Sequence, residues 1–142
     1  MHIYSRLLVA SALAPLLLLG SGCQSDDVGS SSAQLEATLS EFAFTPDTWT
    51  APANEDVTVS LTNIGAVTHE YVILQHGVTI SSEADLPDTE EELLADFVLT
   101  EEEVEPGETG ELDFNVPAGT YQIICAIRTH FDAGMEGTLT VE

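Results

Sequence analysis

The chain has 142 residues, of which 25 are Asp or Glu and only 2 are Lys or Arg, so it carries a formal charge of −23. No basic patch can be assembled from two arginines, which excludes nucleic acid as a partner. Electrostatic attraction to anionic lipid is excluded for the same reason, so any membrane attachment must be covalent.

The chain opens with a weakly basic start, Met1 to Arg6, followed by an apolar stretch from Leu7 to Leu19 and then Gly20-Ser21-Gly22-Cys23. The apolar run is shorter than a comfortable bilayer span, and its flanks are those of a secretory signal. Residues 1–23 therefore read as a signal peptide. Small residues leading into Cys23 resemble a bacterial lipobox, which implies that Cys23 is lipidated and becomes the new N-terminus on the extracytoplasmic face. Gly20 stands where lipoboxes carry an aliphatic residue, which leaves ordinary cleavage and an uncleaved anchor as alternatives. All 25 acids follow Cys23, with Arg128 as the one basic Lys or Arg beyond it. This acidity reads first as solubility, including adaptation to high salt, and secondly as steering toward a basic partner.

Residues 24–34 are rich in Ser, Asp and Gly and read as a flexible tether. The domain then runs from 35 to 142. Leu35, Ala37 and Leu39 alternate, and Phe42 and Phe44 alternate in the opposite phase after a bulge or bend. A turn at Thr45-Pro46-Asp47 leads to a short segment around Trp49. Val57, Val59 and Leu61 alternate with polar residues, and His69 to Gln75 is continuously apolar enough to be buried on both faces. Leu112, Phe114 and Val116 alternate again; Tyr121, Ile123 and Cys125 share a face; Leu139 and Val141 close the chain. Short alternating strands with Pro/Gly turns predict an all-β, antiparallel β-sandwich.

Ser81 to Glu111 breaks the rhythm, holding 13 of the 25 acids. Thr89-Glu90-Glu91-Glu92 forms a capping-box signal, and Leu93, Leu94 and Phe97 give a narrow apolar stripe, so one short helix is predicted within a long acidic connection. The connection reads as a solvated crossover between sheets, with an acidic docking surface as its alternative.

The most specific chemistry lies in Cys125-x4-His130-x4-Met135, with His69 far upstream. Only Cys23 and Cys125 are present, so lipidation of Cys23 leaves one exported thiol without a disulfide partner. Two imidazoles, a thiolate and a thioether match the donor set of a mononuclear blue-copper site. Zinc would recruit more thiolates or imidazoles, and calcium or magnesium would require oxygen. Gly134 and Gly137 flank Met135 and permit tight turns that redirect it inward.

From Leu35 to Glu142 the chain resembles the cupredoxins of the plastocyanin/azurin superfamily. The resemblance is carried by Glu41 to Pro46, by Leu61-Thr62-Asn63-Ile64-Gly65 running to His69, by Pro106-Gly107 to Gly110, and by Pro117-Ala118-Gly119-Thr120-Tyr121 running into the Cys125–Gly137 segment. It implies a Greek-key sandwich of seven or eight strands, with His69, Cys125 and His130 as equatorial ligands and Met135 as the axial one. Two positions depart from the pattern: Arg128-Thr129 replaces Pro-Gly before the second histidine, and Glu70 follows the first. The resemblance implies an electron carrier, not an enzyme, shuttling Cu(I)/Cu(II) as a monomer between extracytoplasmic partners such as a cytochrome or a copper oxidase or reductase. A copper-delivery protein without redox turnover is the alternative, although no further Met/His cluster supports it. Multicopper enzymes need further histidines, and only His76 is spare in the exported domain.

Overall fold

The structure is a computed structural model and describes residues 32–142. Cys23, the signal segment and most of the expected tether lie outside the described residues. Among the described residues, nine strands form two sheets: β1 Ala33–Ser40, β2 Ala43–Thr45, β3 Thr48–Ala51, β4 Val57–Asn63, β5 His69–Leu74, β6 Val98–Val104, β7 Thr109–Phe114, β8 Gly119–Ile124 and β9 Glu136–Val141. One sheet has the order β2-β1-β4-β7 and the other β3-β9-β8-β5-β6. The first strand starts at Ala33, two residues before the expected domain boundary, because Ala33 already pairs with Val57.

Alternation builds the interior. Val57, Val59 and Leu61 point inward from β4 while Thr58, Ser60 and Thr62 face outward. They meet Tyr71 and Ile73 of β5, Tyr121 and Ile123 of β8, and Leu139 and Val141 of β9 in one core that also takes in Cys125 and Met135. Phe44, Trp49 and Tyr71 pack edge to face within it, with centroids 5.3 to 6.3 Å apart. Gly137 serves this packing rather than a turn, since a Cβ there would lie 2.7 Å from the Trp49 ring. The Tyr121 hydroxyl donates to Pro117 O at 2.8 Å, tying the start of β8 to its preceding corner.

The sandwich is not wholly antiparallel. β1 pairs with β4, and β3 with β9, in parallel. The chain leaves β1 through the β2 hairpin and crosses to the other sheet as β3 before returning as β4. Each parallel pair is thus joined by a crossover, as parallel neighbours require.

The acidic connection does more than cross between sheets. It contains a 3-10 turn at Glu83–Asp85, helix α1 at Glu90–Asp96 and the whole of β6. The Thr89 side chain caps α1 by accepting the Glu92 N–H at 3.3 Å. Of the expected stripe, Leu93 is buried, Phe97 is partly buried and Leu94 is 39% exposed, because a seven-residue helix offers barely two turns to the sheet. A second apolar cluster, of Val72, Leu74, Ile80, Leu93, Val98, Ile124 and Phe131, lies under this connection. It covers the outward face of β5 and β8, which is why β5 reads as apolar on both faces.

Candidate metal centre

The strand pairing brings distant donors together. β5 and β8 run antiparallel, with Val72 opposite Ile124, so the start of β5 lies beside the end of β8. His69 opens β5, and Cys125 follows the last residue of β8. The loop from Cys125 to Met135 then joins neighbouring strands β8 and β9, which pair from Ile124↔Glu136 onward. Its base is closed by Cys125 N–H donating to Met135 O at 3.1 Å, and Met135 N–H donates to His130 O at 3.1 Å. Gly134 has φ +106 and makes the turn into Met135.

One potential donor atom from each of His69, Cys125 and His130 lies within 4.8 Å of the others. Cys125 Sγ is 3.3 Å from His130 Nδ1. His69, Cys125 and Met135 are fully buried, and His130 is 7% exposed. All four expected site residues therefore occur at one end of the sandwich, Met135 through its backbone bonds to Cys125 and His130. His76 lies elsewhere: it is exposed and packs against the Tyr121 ring at 5.4 Å.

Sequence reasoning missed the groups that hold these side chains in place. Asn63 is 1% exposed. Its Nδ2 donates to Val67 O and Val104 O, both at 2.8 Å, and its Oδ1 accepts Gly65 N–H at 2.8 Å. Asn63 thereby folds the loop leading into His69 against the strand opposite it. The signal was available, since Asn63 follows Val57, Val59 and Leu61 at the next inward position of the alternation. The Glu41 carboxylate accepts N–H groups of Ala66 and Val67 from the same loop. Phe42 beside it is 38% exposed and lays its ring 4.8 Å from His130 and 6.4 Å, edge-on, from His69.

The two departures noted in the sequence have structural outcomes. Glu70 donates its backbone N–H to Cys125 Sγ at 3.4 Å, so this contact is independent of the side chain at position 70. Arg128 does not point its charge freely at the site: its guanidinium lies 3.7 Å from Glu83 and 3.8 Å from Asp88.

The electrostatics suit a soft cation. Burial pushes the Cys125 thiol up to about 11, against the lowering effect of the Glu70 N–H. Burial lowers both imidazoles; His130 lowers His69 further, while Glu41 opposes the shift at both and Glu83 opposes it at His130. Neither ring nitrogen of His69 has a hydrogen-bond partner among the described residues. Two neutral imidazoles offer lone pairs, and the thiol becomes a thiolate when a cation displaces its proton. A buried orphaned nitrogen is costly, and ligation relieves that cost. The N, N, S set, with Met135 tied by its backbone to Cys125 and His130, fits copper.

Comparison with known proteins agrees with this geometry. Residues 10–141 match the family model described as a cupredoxin-like domain. The chain belongs to the cupredoxin-like family. It is 31% identical over 125 residues to auracyanin-B of Chloroflexus aurantiacus, an alignment covering 76% of this chain and 51% of that protein. The chain thus spans about half the length of that curated relative. Among solved structures, dithionite-reduced auracyanin from Roseiflexus castenholzii matches this cupredoxin-like chain with a TM-score of 0.64 and 26% identity, covering 78% of this chain and 98% of that one. Auracyanin A, described as a "blue" copper protein of Chloroflexus aurantiacus, matches with a TM-score of 0.63 and 26% identity, covering 78% and 99%.

Proposed function

We propose that the chain is a blue copper electron carrier in which His69, Cys125 and His130 would hold one type 1 copper ion, with the Met135 thioether as a weak fourth donor. The convergence of two imidazoles and the buried Cys125 thiol within 4.8 Å carries this reading, and the likeness to auracyanins supports it. When bound, copper supplies a one-electron Cu(I)/Cu(II) couple. The protein's part is to hold the donors in one arrangement for both states, so that little reorganises on each transfer. His69 is fixed by β5 and the Asn63 loop, and Cys125 by the end of β8 and the Glu70 N–H. Phe42 and the surrounding core restrict water at the imidazoles.

The same burial favours retention of the ion over delivery, since no donor side chain is freely exposed. Membership of the cupredoxin-like family and the likeness to auracyanins support a carrier. The carrier would work outside the cytoplasm, tethered through lipidated Cys23, and exchange electrons with a cytochrome or a copper oxidase or reductase.

Optical and EPR spectra of the copper-loaded protein test the proposal. An intense blue band that bleaches on reduction, and that Cys125→Ser abolishes, is the expected result. A colourless protein carrying stoichiometric Cu(II) refutes it. Copper exchange faster than electron self-exchange would favour delivery instead.

A further inference from the structure

The loop that carries His130 is held from outside as well as at its base. Thr129, immediately before His130, has φ +73. A β-branched residue in that left-handed region is strained and persists only when its surroundings enforce it. The enforcing contact is at hand: Thr129 N–H donates to Glu83 Oε2 at 2.6 Å. The other carboxylate oxygen of Glu83 faces Arg128 at 3.7 Å. Glu83 N–H in turn donates to Asp132 Oδ1 at 2.9 Å. Residues 128, 129 and 132, on both sides of His130, thus converge on one glutamate far away in the chain. Phe131 adds an apolar anchor, buried with Ile80 and with Leu93 of the acidic connection.

The partners are unequal. The Glu83 side chain is 14% exposed, whereas Arg128 is 64% exposed and Asp88 fully so. An exposed pair such as Arg128–Asp88 contributes little. A sheltered carboxylate accepting a backbone N–H is among the stronger hydrogen bonds.

We propose that Glu83 is a positioning residue of the metal centre, holding Thr129 in its left-handed conformation so that His130 faces Cys125. The partners of its carboxylate among the described residues are the Thr129 N–H and Arg128, so it acts through the ligand loop around His130. Its role in copper retention rests on the proposed function, whereas its hold on the loop does not. Through Glu83 the acidic connection then supports the site as well as crossing between strands.

Glu83→Ala, Glu83→Gln, Asp88→Ala and the double variant Glu83→Ala/Thr129→Gly, each in the full chain, test this. In the metal-free protein, NMR hydrogen exchange at the Thr129 amide is the first readout. Losing one charge-assisted bond speeds it about tenfold or more in Glu83→Ala, while Asp88→Ala leaves it unchanged. Glu83→Gln, which keeps an oxygen acceptor and the side-chain shape, falls between the two and serves where Glu83→Ala does not fold. The second readout is the rate of copper loss to a chelator, which rises in parallel with exchange in Glu83→Ala. Thr129→Gly in that background restores slow copper loss, because glycine adopts φ +73 without support. The proposal is overturned if Glu83→Ala, or Glu83→Gln in its place, matches Asp88→Ala in Thr129 exchange. It is equally overturned if glycine fails to rescue copper retention. If the parent protein forms no blue site, the metal-free exchange arm alone decides the role of Glu83 in the loop.

Discussion

Truncating Asn63 to Ala would strike the entry to the centre from the interior of the sandwich. The substitution removes the bonds to Val67 O, Val104 O and Gly65 N–H, all at 2.8 Å and centred on a side chain only 1% exposed. At about 1 kcal/mol net for each bond, plus the cost of leaving partners unsatisfied, the expected loss is about 3–5 kcal/mol. Against a total of roughly 5–15 kcal/mol for a domain, that is a large share. At about 4 °C per kcal/mol, the melting temperature falls by about 12–20 °C. Asn63→Asp is the sharper control. It keeps the shape but sets an oxygen where Nδ2 met two carbonyls, so at neutral pH it costs at least as much as Ala. Urea unfolding of the metal-free protein measures the change, with an unchanged m-value showing that stability alone moved. A loss below 1 kcal/mol in Asn63→Ala would falsify the account of Asn63 as the buried tie of the His69 loop.

Two further predictions concern β5. The Tyr71 hydroxyl is buried without a hydrogen-bond partner among the described residues, while its ring packs against Phe44 and Trp49. Tyr71→Phe keeps the ring and removes the orphan, so it stabilises the fold by about 1 kcal/mol; destabilisation in thermal melts would show that the hydroxyl is satisfied. Glu70 is pushed up to about 7, by burial first and then by Glu101 and Glu103. The folded protein therefore binds an extra proton between the ordinary carboxyl range and about 7, so this group's contribution is present at low pH and lost as pH rises through about 7. Glu70→Gln consequently raises the melting temperature relative to the parent more at pH 8 than at pH 5. An equal difference at both pH values contradicts the burial of Glu70.

The fold was readable wherever one face of a strand is apolar. β4 and β8 declare themselves through Val57, Val59 and Leu61 and through Tyr121 and Ile123, and β5 through its unbroken run. β6 did not, because Glu101, Glu102 and Glu103 sit between its buried ends at Val98 and Val104 and mask the alternation. Its pairing with β5, not its own composition, makes it a strand. The parallel pairs were equally hidden, since period-two patterning is blind to strand direction. At the centre, the chemical identity of His69, Cys125 and His130 was enough to group them. Asn63 was legible as a polar residue at an inward position. Glu83 and Phe42 were not, because their roles depend on which segments the fold lays side by side.

The contacts between residues 128–132 and Glu83 bear on how such a centre can be moved or changed. A segment running from Cys125 to Met135 looks like a portable cassette, closed at its base by β8 and β9 and ready to be grafted into a related sandwich. In this chain the cassette has a second half, some forty-five residues upstream in sequence, that meets it only in the folded state. A transplant of the loop alone would carry the strained Thr129 without the carboxylate that accepts its N–H. Substitutions at 83 and at 128–132 are therefore expected to be tolerated together and penalised singly, so the two segments should be exchanged as one heritable unit.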